Sequence, residues 1–204
     1  TNFDSSGRSC SFKKDSTTMN AAVAPSQLND DLDQRIVAHA ADARWYPSPR
    51  PGVERRMLDR VAAETGRATS IVRYLPGAEF SPHRHDGGEE ILVLEGVFSD
   101  EHGDYPAGSY LRNPPGSSHR PYSTPGCTLF VKLWQFSAGD TEAGRIDTRH
   151  TQWRRGLVPG LHVMPLHDFD GIGTALVSWA PQTVFSPHVH PGGEEILVLD
   201  GLFR

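Results

Sequence analysis

One stretch of the chain is repeated almost unchanged. Residues 80–98 read FSPHRHDGGEEILVLEGVF, and residues 185–203 read FSPHVHPGGEEILVLDGLF. Two histidines, two glycines and two glutamates keep their spacing, while the two residues interspersed among them, Arg84 and Asp86, change to Val189 and Pro191. An internal repeat of this kind predicts two tandem copies of one structural unit.

The repeat also sets the predicted domain boundaries. Trp45 and Trp153 stand at corresponding positions upstream of the two copies, so each unit is expected to begin near one of them. The residues up to Thr18 are polar and lack periodicity, which indicates a disordered leader. We predict a leader with an N-terminal strand or arm at 1–44, a first barrel at 45–137, a linker at 138–152 and the N-terminal part of a second barrel at 153–204.

Short stretches with strand-type composition alternate with turn-forming residues in the first unit, which is typical of an antiparallel barrel or sandwich. The run EILVLEG at residues 90–96 lacks polar alternation, which indicates burial on both faces. Its outer face must therefore meet a second sheet, from either the other repeat or a second copy of the chain. The predicted strands are residues 69–75, 90–98, 105–111 and 128–136.

Composition and charge argue against several classes of function. The formal net charge is -5 and the basic residues are not clustered, which disfavours binding to nucleic acid. No run approaches the roughly 18 apolar residues of a membrane span, and no signal-peptide pattern opens the sequence. Cys10 and Cys127 are the only cysteines, so we expect no disulfide framework and a cytoplasmic location.

Each copy of the repeat carries residues suited to binding a metal. His83 and His85 are two positions apart, so on a strand both imidazoles point to one face. Glu89 opens the following predicted strand, and His119 offers a third imidazole. Three neutral nitrogens and one carboxylate favour Zn, Fe, Mn, Ni or Cu over Ca or Mg. The second copy repeats the spacing with His188, His190 and Glu194.

These residues carry a resemblance to a known family. The first unit matches both cupin motifs, G-x5-H-x-H-x3-E-x6-G and G-x5-P-x-G-x2-H, although Ser123 stands where the full second motif has Asn. Residues 45–136, and again the residues from 153 onward, resemble the cupin domain of ChrR-type anti-sigma factors. The matching motif residues are Gly77, His83, His85, Glu89, Gly96, Gly108, Pro114, Gly116 and His119.

The resemblance implies an all-β fold of tandem antiparallel jelly-roll barrels, of which the second is incomplete in this chain. Zn occupies a site of three histidines and one glutamate in that family. Related cupins with similar sites are Fe(II) dioxygenases that cleave diketones or hydroxyacetophenones. Zn is therefore the first expectation for the metal and Fe(II) the second. By position the expected ligands are His83, His85, Glu89 and His119.

The chain departs from the family pattern at both ends. ChrR-type anti-sigma factors carry an N-terminal zinc-binding domain with clustered His and Cys, whereas residues 1–44 offer only Cys10 and His39, which puts direct sigma-factor binding in doubt. In the second repeat Gln182 replaces the motif glycine, and the counterpart of His119 would fall beyond Arg204. The predicted strand at 195–203 would then expose an apolar edge, which we expect further residues or another chain to cover.

Three functions remain open from the sequence. The resemblance favours a regulatory or sensory metal-binding protein, because four protein ligands leave Zn little room for chemistry. The alternative is a non-haem Fe(II) dioxygenase, since iron can keep positions open for substrate and oxygen. The third is a ligand-binding or structural cupin. We also expect a homo-oligomer, such as a dimer, and a small-molecule ligand in the barrel. Candidates to orient that ligand are Arg73, Tyr74, Arg112, Lys132 and Trp134.

Overall fold

The computed structural model describes residues 24–203, which form fifteen strands and no α-helix. The predicted leader up to Thr18, and Cys10 within it, lie outside these residues. In the described part of the chain no helix has the length and apolarity needed to cross a membrane. The strands are β1 (Trp45–Pro47), β2 (Val53–Arg60), β3 (Ala68–Tyr74), β4 (Ala78–Glu79), β5 (His83–His85), β6 (Glu89–Asp100), β7 (Gly103–Pro106), β8 (Ser109–Asn113), β9 (Ser117–His119), β10 (Tyr122–Ser123), β11 (Cys127–Leu133), β12 (Gly144–Asp147), β13 (Arg154–Arg155), β14 (Leu161–Phe169) and β15 (Ile172–Trp179).

β6 organises the first repeat because its two halves pair with different strands. The N-terminal half pairs with β8 on one side and β11 on the other, and the C-terminal half pairs with β7 and β10. β11 continues to β3, β2 and β1, while β12 extends the sheet beyond β8. Every one of these pairings is antiparallel, which confirms the predicted all-β architecture.

The change of partners along β6 occurs at Gly96. The φ angle of Gly96 is 72°, and a Cβ atom at this position would lie 2.1 Å from the carbonyl oxygen of Gly126. Beside it the pairing of β11 shifts register between Thr128 and Leu129. A glycine and a register shift at one point bend the strand around the interior. The enclosed core contains Val53, Tyr74, Ala78, Ile91, Val93, Phe98, Leu111, Cys127, Leu129 and Val131.

The second repeat contributes a three-stranded sheet, β13-β14-β15, that packs on the outer face of the first. Met164 and Leu166 on β14 are 0% and 9% exposed and cluster with Tyr110. Leu92, on the outward face of β6, packs against the same cluster. The predicted burial of EILVLEG on both faces is therefore confirmed in part: Glu90, Ile91 and Val93 are buried and Leu92 is partly buried, whereas Glu95 is exposed. Within this chain the other repeat supplies the second sheet.

Residues 180–203 form no strand, so the strand predicted at 195–203 is wrong for this structure. The first copy of the same sequence is extended because β8 and β11, which follow it in the chain, pair with both of its edges. Among residues 24–203 the second copy has no counterparts of those two strands. Val198, Leu199 and Phe203 remain 48%, 56% and 49% exposed.

The other predicted strands can be compared directly. The predictions at 69–75, 90–98 and 128–136 are confirmed as β3, β6 and β11, with ends shifted by up to three residues. The single strand predicted at 105–111 is wrong, because β7 ends at Pro106 and β8 begins at Ser109. Gly108 between them has a φ of 87°, and the two strands pair with different halves of β6.

Candidate metal centre

A two-stranded sheet, β5 with β9, brings three histidines together. His83 and His85 lie on the same face of β5, because alternate residues of a strand point the same way. β9 runs antiparallel to β5 and places His119 directly opposite His83. The ring centroids of the three imidazoles are 4.7, 4.9 and 5.1 Å apart. The structure thus assembles the three histidines that the sequence singles out.

The ligand atoms of these side chains converge. One ring nitrogen from each histidine lies within 4.8 Å of the other two, and the Nε2 atoms of His85 and His119 are 2.9 Å apart. Glu89, at the start of β6, places Oε2 3.4 Å from Nε2 of His85 and 3.6 Å from Nε2 of His119. Ligands held by one tetrahedral Zn ion at about 2.0–2.1 Å are themselves about 3.3 Å apart. The observed separations therefore suit a single transition-metal ion.

Contacts behind the rings fix the orientation of two histidines. Nδ1 of His83 lies 3.0 Å from the carbonyl oxygen of Ser81, and Nδ1 of His119 lies 3.4 Å from Oδ2 of Asp100. Both partners accept hydrogen bonds, so each places the ring proton on Nδ1. Nε2 is left with a free lone pair, which is the tautomer needed for binding a metal through that atom.

The surroundings favour a neutral His85 and a charged Asp100. Burial lowers the pKa of His85, and His119 and His83 lower it further, although Glu89 acts in the opposite direction. Burial would raise the pKa of Asp100, but hydrogen bonds from His119 and the backbone N–H of His102 hold it below its ordinary value. A neutral imidazole is the form that binds metal ions, and a carboxylate behind a ligand strengthens its basicity.

A glycine turn between β5 and β6 returns the chain so that Glu89 faces the histidines. A Cβ atom at Gly87 would lie 2.1 Å from the ring of Trp134, and one at Gly88 would lie 2.4 Å from the ring of Phe136. The backbone N–H of Trp134 also donates to the carbonyl oxygen of Gly88, at 3.2 Å. The segment after β11 therefore holds this turn in place, and side chains larger than hydrogen do not fit there.

Aromatic rings form the interior wall of the site. The Phe80 ring lies 5.6 Å from that of His83, and the Phe98 ring lies 6.0 Å from that of His119. Tyr74 contacts both phenylalanines, with ring centroids 5.7 and 6.1 Å away. Burial raises the pKa of Tyr74 well above its ordinary value, so its phenol stays neutral. An apolar wall of this kind lowers the local dielectric on the interior side of the ligand atoms.

A comparison with protein families decides the relationship. The model of the ChrR cupin-like domain matches residues 33–137 and again residues 141–204. The chain belongs to the ChrR cupin-like family. The double match confirms the tandem cupin arrangement and the resemblance found in the sequence motifs.

The cupin chain is similar to several solved structures. The ChrR anti-sigma protein of Rhodobacter sphaeroides, in complex with SigE, shares 24% identity at a TM-score of 0.40, covering 47% of this chain and 51% of that one. A candidate glyoxylate-induced protein of Pseudomonas aeruginosa shares 13% identity at 0.54, covering 67% and 59%. A candidate dioxygenase of Nostoc punctiforme shares 18% identity at 0.54, covering 68% and 55%.

The cupin chain thus spans between 51% and 59% of the length of these three structures. A search of curated proteins found no match.

The second cupin repeat holds its candidate ligands in an open arrangement. The Nε2 atoms of His188 and His190 are 2.8 Å apart, and Nε2 of His190 lies 3.6 Å from Oε1 of Glu194. The His190 and Glu194 side chains are 46% and 50% exposed. Within residues 24–203, the only group of three side chains with mutually close ligand atoms is that of the first repeat. Metal binding by the second repeat stays a prediction.

The five residues suggested for orienting a ligand lie in different surroundings. Tyr74 belongs to the aromatic wall, and Trp134 covers the glycine turn. Arg73 and Lys132 form ion pairs with Glu54 and Glu195. Arg112 is buried on the face of β8 turned towards the second repeat, where it pairs with Glu90 and Asp140.

Sequence reasoning missed the residues behind the ligands. Asn113 donates from Nδ2 to Oε2 of Glu89 at 2.9 Å, and Asp100 accepts from His119. In the sequence both stand beside turn-forming residues, where Asn and Asp are common for local reasons. Asn113 lies opposite Glu89 only because β8 pairs with β6, which the sequence alone does not show.

Proposed function

We propose that this cupin is a regulatory or sensory metal-binding protein that holds one transition-metal ion between His83, His85, Glu89 and His119. The convergence of the histidine nitrogens carries the proposal, with two buried Nε2 atoms 2.9 Å apart and the Glu89 carboxylate within 3.6 Å of both. The Glu89 carboxylate and Nε2 of His119 are both acceptors and lie 3.6 Å apart, which is unfavourable in a buried site unless a proton or cation lies between them. A divalent ion bound by all of them relieves this cost.

Zn(II) is the first choice of ion and Fe(II) the second. Imidazole nitrogens and a carboxylate oxygen suit both, and four protein ligands complete the tetrahedral coordination that Zn prefers in sites without chemistry. A closed Zn site is consistent with a sensory role, in which the bound ion holds elements of the fold together.

A regulatory role is supported by the origin of the ligands and by membership of the ChrR cupin-like family. The ligands come from β5, β6 and β9, and β6 also contacts the second repeat through Leu92 on its other face. Loss of the ion would release restraints on β6. We expect this change to reach the packing between the two repeats.

Metal content tests the proposal. Elemental analysis of the purified wild-type protein is expected to give about one transition-metal ion per chain, and His119→Ala is expected to lose most of it. His162→Ala, on the exposed face of β14, is the matched histidine control and is expected to keep wild-type metal content. A wild-type protein without bound metal after growth in zinc and in iron would reject the proposal.

The position of Glu89 favours a second candidate function, a non-haem Fe(II) dioxygenase acting on a diketone or hydroxyacetophenone-like substrate. The Glu89 carboxylate is held by Asn113 and lies outside the group of three mutually close histidine nitrogens. An ion bound mainly by three histidines keeps further positions for substrate and oxygen. The Nostoc punctiforme candidate dioxygenase shares the fold.

Oxygen uptake separates the two functions. The iron-loaded and zinc-loaded proteins are compared with a β-diketone and with a hydroxyacetophenone, with the His119→Ala variant as the control. Substrate-dependent uptake by the iron form alone would establish the enzyme. Equal background rates in all samples would leave the sensory function as the supported one.

A further inference from the structure

Arg145 lies in the segment between the two repeats, yet its guanidinium reaches towards the metal centre. The residue stands on β12, opposite Leu111 on β8. Its Nη2 donates to Oδ1 of Asn113 at 2.6 Å, and its Nε donates to the hydroxyl of Tyr105 at 3.3 Å. Its Nη1 donates to the carbonyl oxygens of Arg112 and Gly144, at 2.8 and 2.7 Å.

The first path from Arg145 leads to Glu89. Asn113 is 4% exposed and sits between the two, accepting from Arg145 through Oδ1 and donating through Nδ2 to Oε2 of Glu89 at 2.9 Å. A guanidinium can only donate, so it forces the amide oxygen of Asn113 to face it. The amide nitrogen must then face Glu89, and the orientation of this carboxylate depends on Arg145.

The second path leads to His119. The Tyr105 hydroxyl accepts from Arg145 and donates to Oδ1 of Asp100 at 3.3 Å, and Oδ2 of Asp100 lies 3.4 Å from Nδ1 of His119. The donor-only guanidinium again sets the direction of the chain, because the Tyr105 proton is directed to Asp100. The Asp100 carboxylate then accepts the proton of Nδ1 and leaves Nε2 of His119 free.

We propose that Arg145 is a positioning residue for the metal centre, which orients Glu89 through Asn113 and His119 through Tyr105 and Asp100. The inference rests on the proposed metal site. It makes the segment between the repeats part of that site, since a displacement of β12 would disturb two ligands together. If Arg145 instead serves only to fasten β12 to β8 through its carbonyl contacts, its loss would lower stability without changing how the ion is bound.

Zinc affinity and the cobalt spectrum test this role. We would measure Zn(II) binding by competition with a chromophoric chelator, and the visible absorption of the Co(II) form, in wild-type protein, Arg145→Met and Tyr105→Phe. Arg145→Met is expected to lower Zn(II) affinity by about tenfold or more and to shift the Co(II) bands, as loss of contacts behind metal ligands does. Tyr105→Phe interrupts one path and is expected to have a smaller effect in the same direction.

Arg149→Met is the matched control. Arg149 lies in the same segment and pairs with Asp147 at 2.7 Å at the surface, so its removal is expected to leave affinity and spectrum unchanged. Arg145→Lys keeps the charge, but its single ammonium cannot contact Asn113 and Tyr105 in the fork geometry of the guanidinium. It is expected to show a partial loss, and it decides the question if Arg145→Met does not fold.

The results distinguish failure of the positioning role of Arg145 from failure of the proposed metal site. If wild-type protein binds Zn(II) and the Arg145 variants bind it with the same affinity and the same Co(II) spectrum, the positioning role is wrong and the metal site stands. If wild-type protein binds neither Zn(II) nor Co(II), the proposed function is wrong and the positioning role is lost with it.

Discussion

Burial determines the chemistry of the thiol of Cys127. The residue is 5% exposed, and burial raises its pKa to about 11, although a hydrogen bond from Ser123 opposes the shift. Thiolate is the reactive form, so we expect alkylation by iodoacetamide at pH 8 to be about 100-fold slower than for a free cysteine. Mass spectrometry of the peptide containing Cys127 measures the rate, and the urea-unfolded protein is the control. A native rate equal to the unfolded one would contradict the assignment.

Gly96 has a left-handed backbone conformation and also leaves no space for a Cβ atom. Gly77 has the same backbone conformation but open space, so alanine substitutions at the two positions separate backbone strain from steric collision. Gly96→Ala is expected to destabilise the protein by roughly 3 kcal/mol or more, since the new Cβ would collide with the carbonyl oxygen of Gly126. Gly77 has a φ of 78° with open space around its Cβ position, so Gly77→Ala is expected to cost only about 1 kcal/mol. Urea unfolding of both variants checks the difference, and equal losses would count against steric collision.

The ligand histidines could be predicted from sequence, whereas their supporting residues could not. The two-residue spacing of His83 and His85 has a fixed consequence on any strand, namely a shared face. Arg145 and Asn113 are far apart in the chain, and their contact depends on β12 pairing with β8. A single sequence contains no periodic signal for such a pairing between a linker and a distant strand.

At the scale of the strands, a buried charged cluster joins β6, β8, the linker and β14. Arg112 donates from Nε to Glu90 at 2.9 Å and from Nη2 to Asp140 at 2.8 Å, and its side chain is 3% exposed. Nε2 of His167 lies 2.9 Å from Oδ2 of Asp140. Glu90, which follows the proposed ligand Glu89 and so lies on the opposite face of β6, is therefore at the interface between the repeats.

The pH dependence of folding should report on Asp140. Burial would raise its pKa, but hydrogen bonds from Arg112, the backbone of Glu142 and His167 hold the pKa below its ordinary value. Its contribution to stability is therefore fully present above the unfolded pKa, about 3.9, and is lost as the pH falls through the lower folded pKa. Asp140→Asn is expected to reduce the loss of stability at acid pH. It is also expected to lower the free energy of unfolding by roughly 3 to 5 kcal/mol at pH 7, since Arg112 loses a buried partner.

Urea unfolding between pH 7 and pH 2 measures this effect. Asp168→Asn, at an exposed position on β14, is the control and is expected to follow the wild-type curve. An Asp140→Asn variant with wild-type stability at pH 7 would show that Asp140 makes no net contribution to the free energy of unfolding.

The strand assignments show why a repeated sequence need not give a repeated structure. Residues 90–96 and 195–201 differ by one side chain, and a local reading predicts a strand for both. The first is a strand because β8 and β11 pair with its backbone, and the second lacks partners within the described residues. Whether partner strands are available depends on residues elsewhere in the chain. The local apolar pattern therefore predicts where a strand can form, but not whether it forms.

For the whole molecule, a small apolar cluster between the two repeats lies beside the charged one. Met164 is fully buried, and it packs with Leu166 of its own strand against Tyr110 and Leu92 of the first repeat. Since Leu92 lies on β6, which also begins with the proposed ligand Glu89, the interface and the metal site share one strand. β6 is therefore the strand through which the proposed regulatory signal would pass.

Truncation of Met164 should loosen the second repeat before the first. Met164→Ala removes a fully buried side chain from this interface and is expected to cost roughly 2 to 5 kcal/mol. Because the first repeat has its own core, hydrogen exchange is expected to accelerate in β14 and β15 while the amides of β3 and β11 stay protected. Ile172→Ala, in the same sheet but 64% exposed, is the control and should leave exchange unchanged. If β3 and β11 lose protection together with β14, the repeats unfold as one unit, and a signal at the metal site would then act on the whole fold rather than on the junction between them.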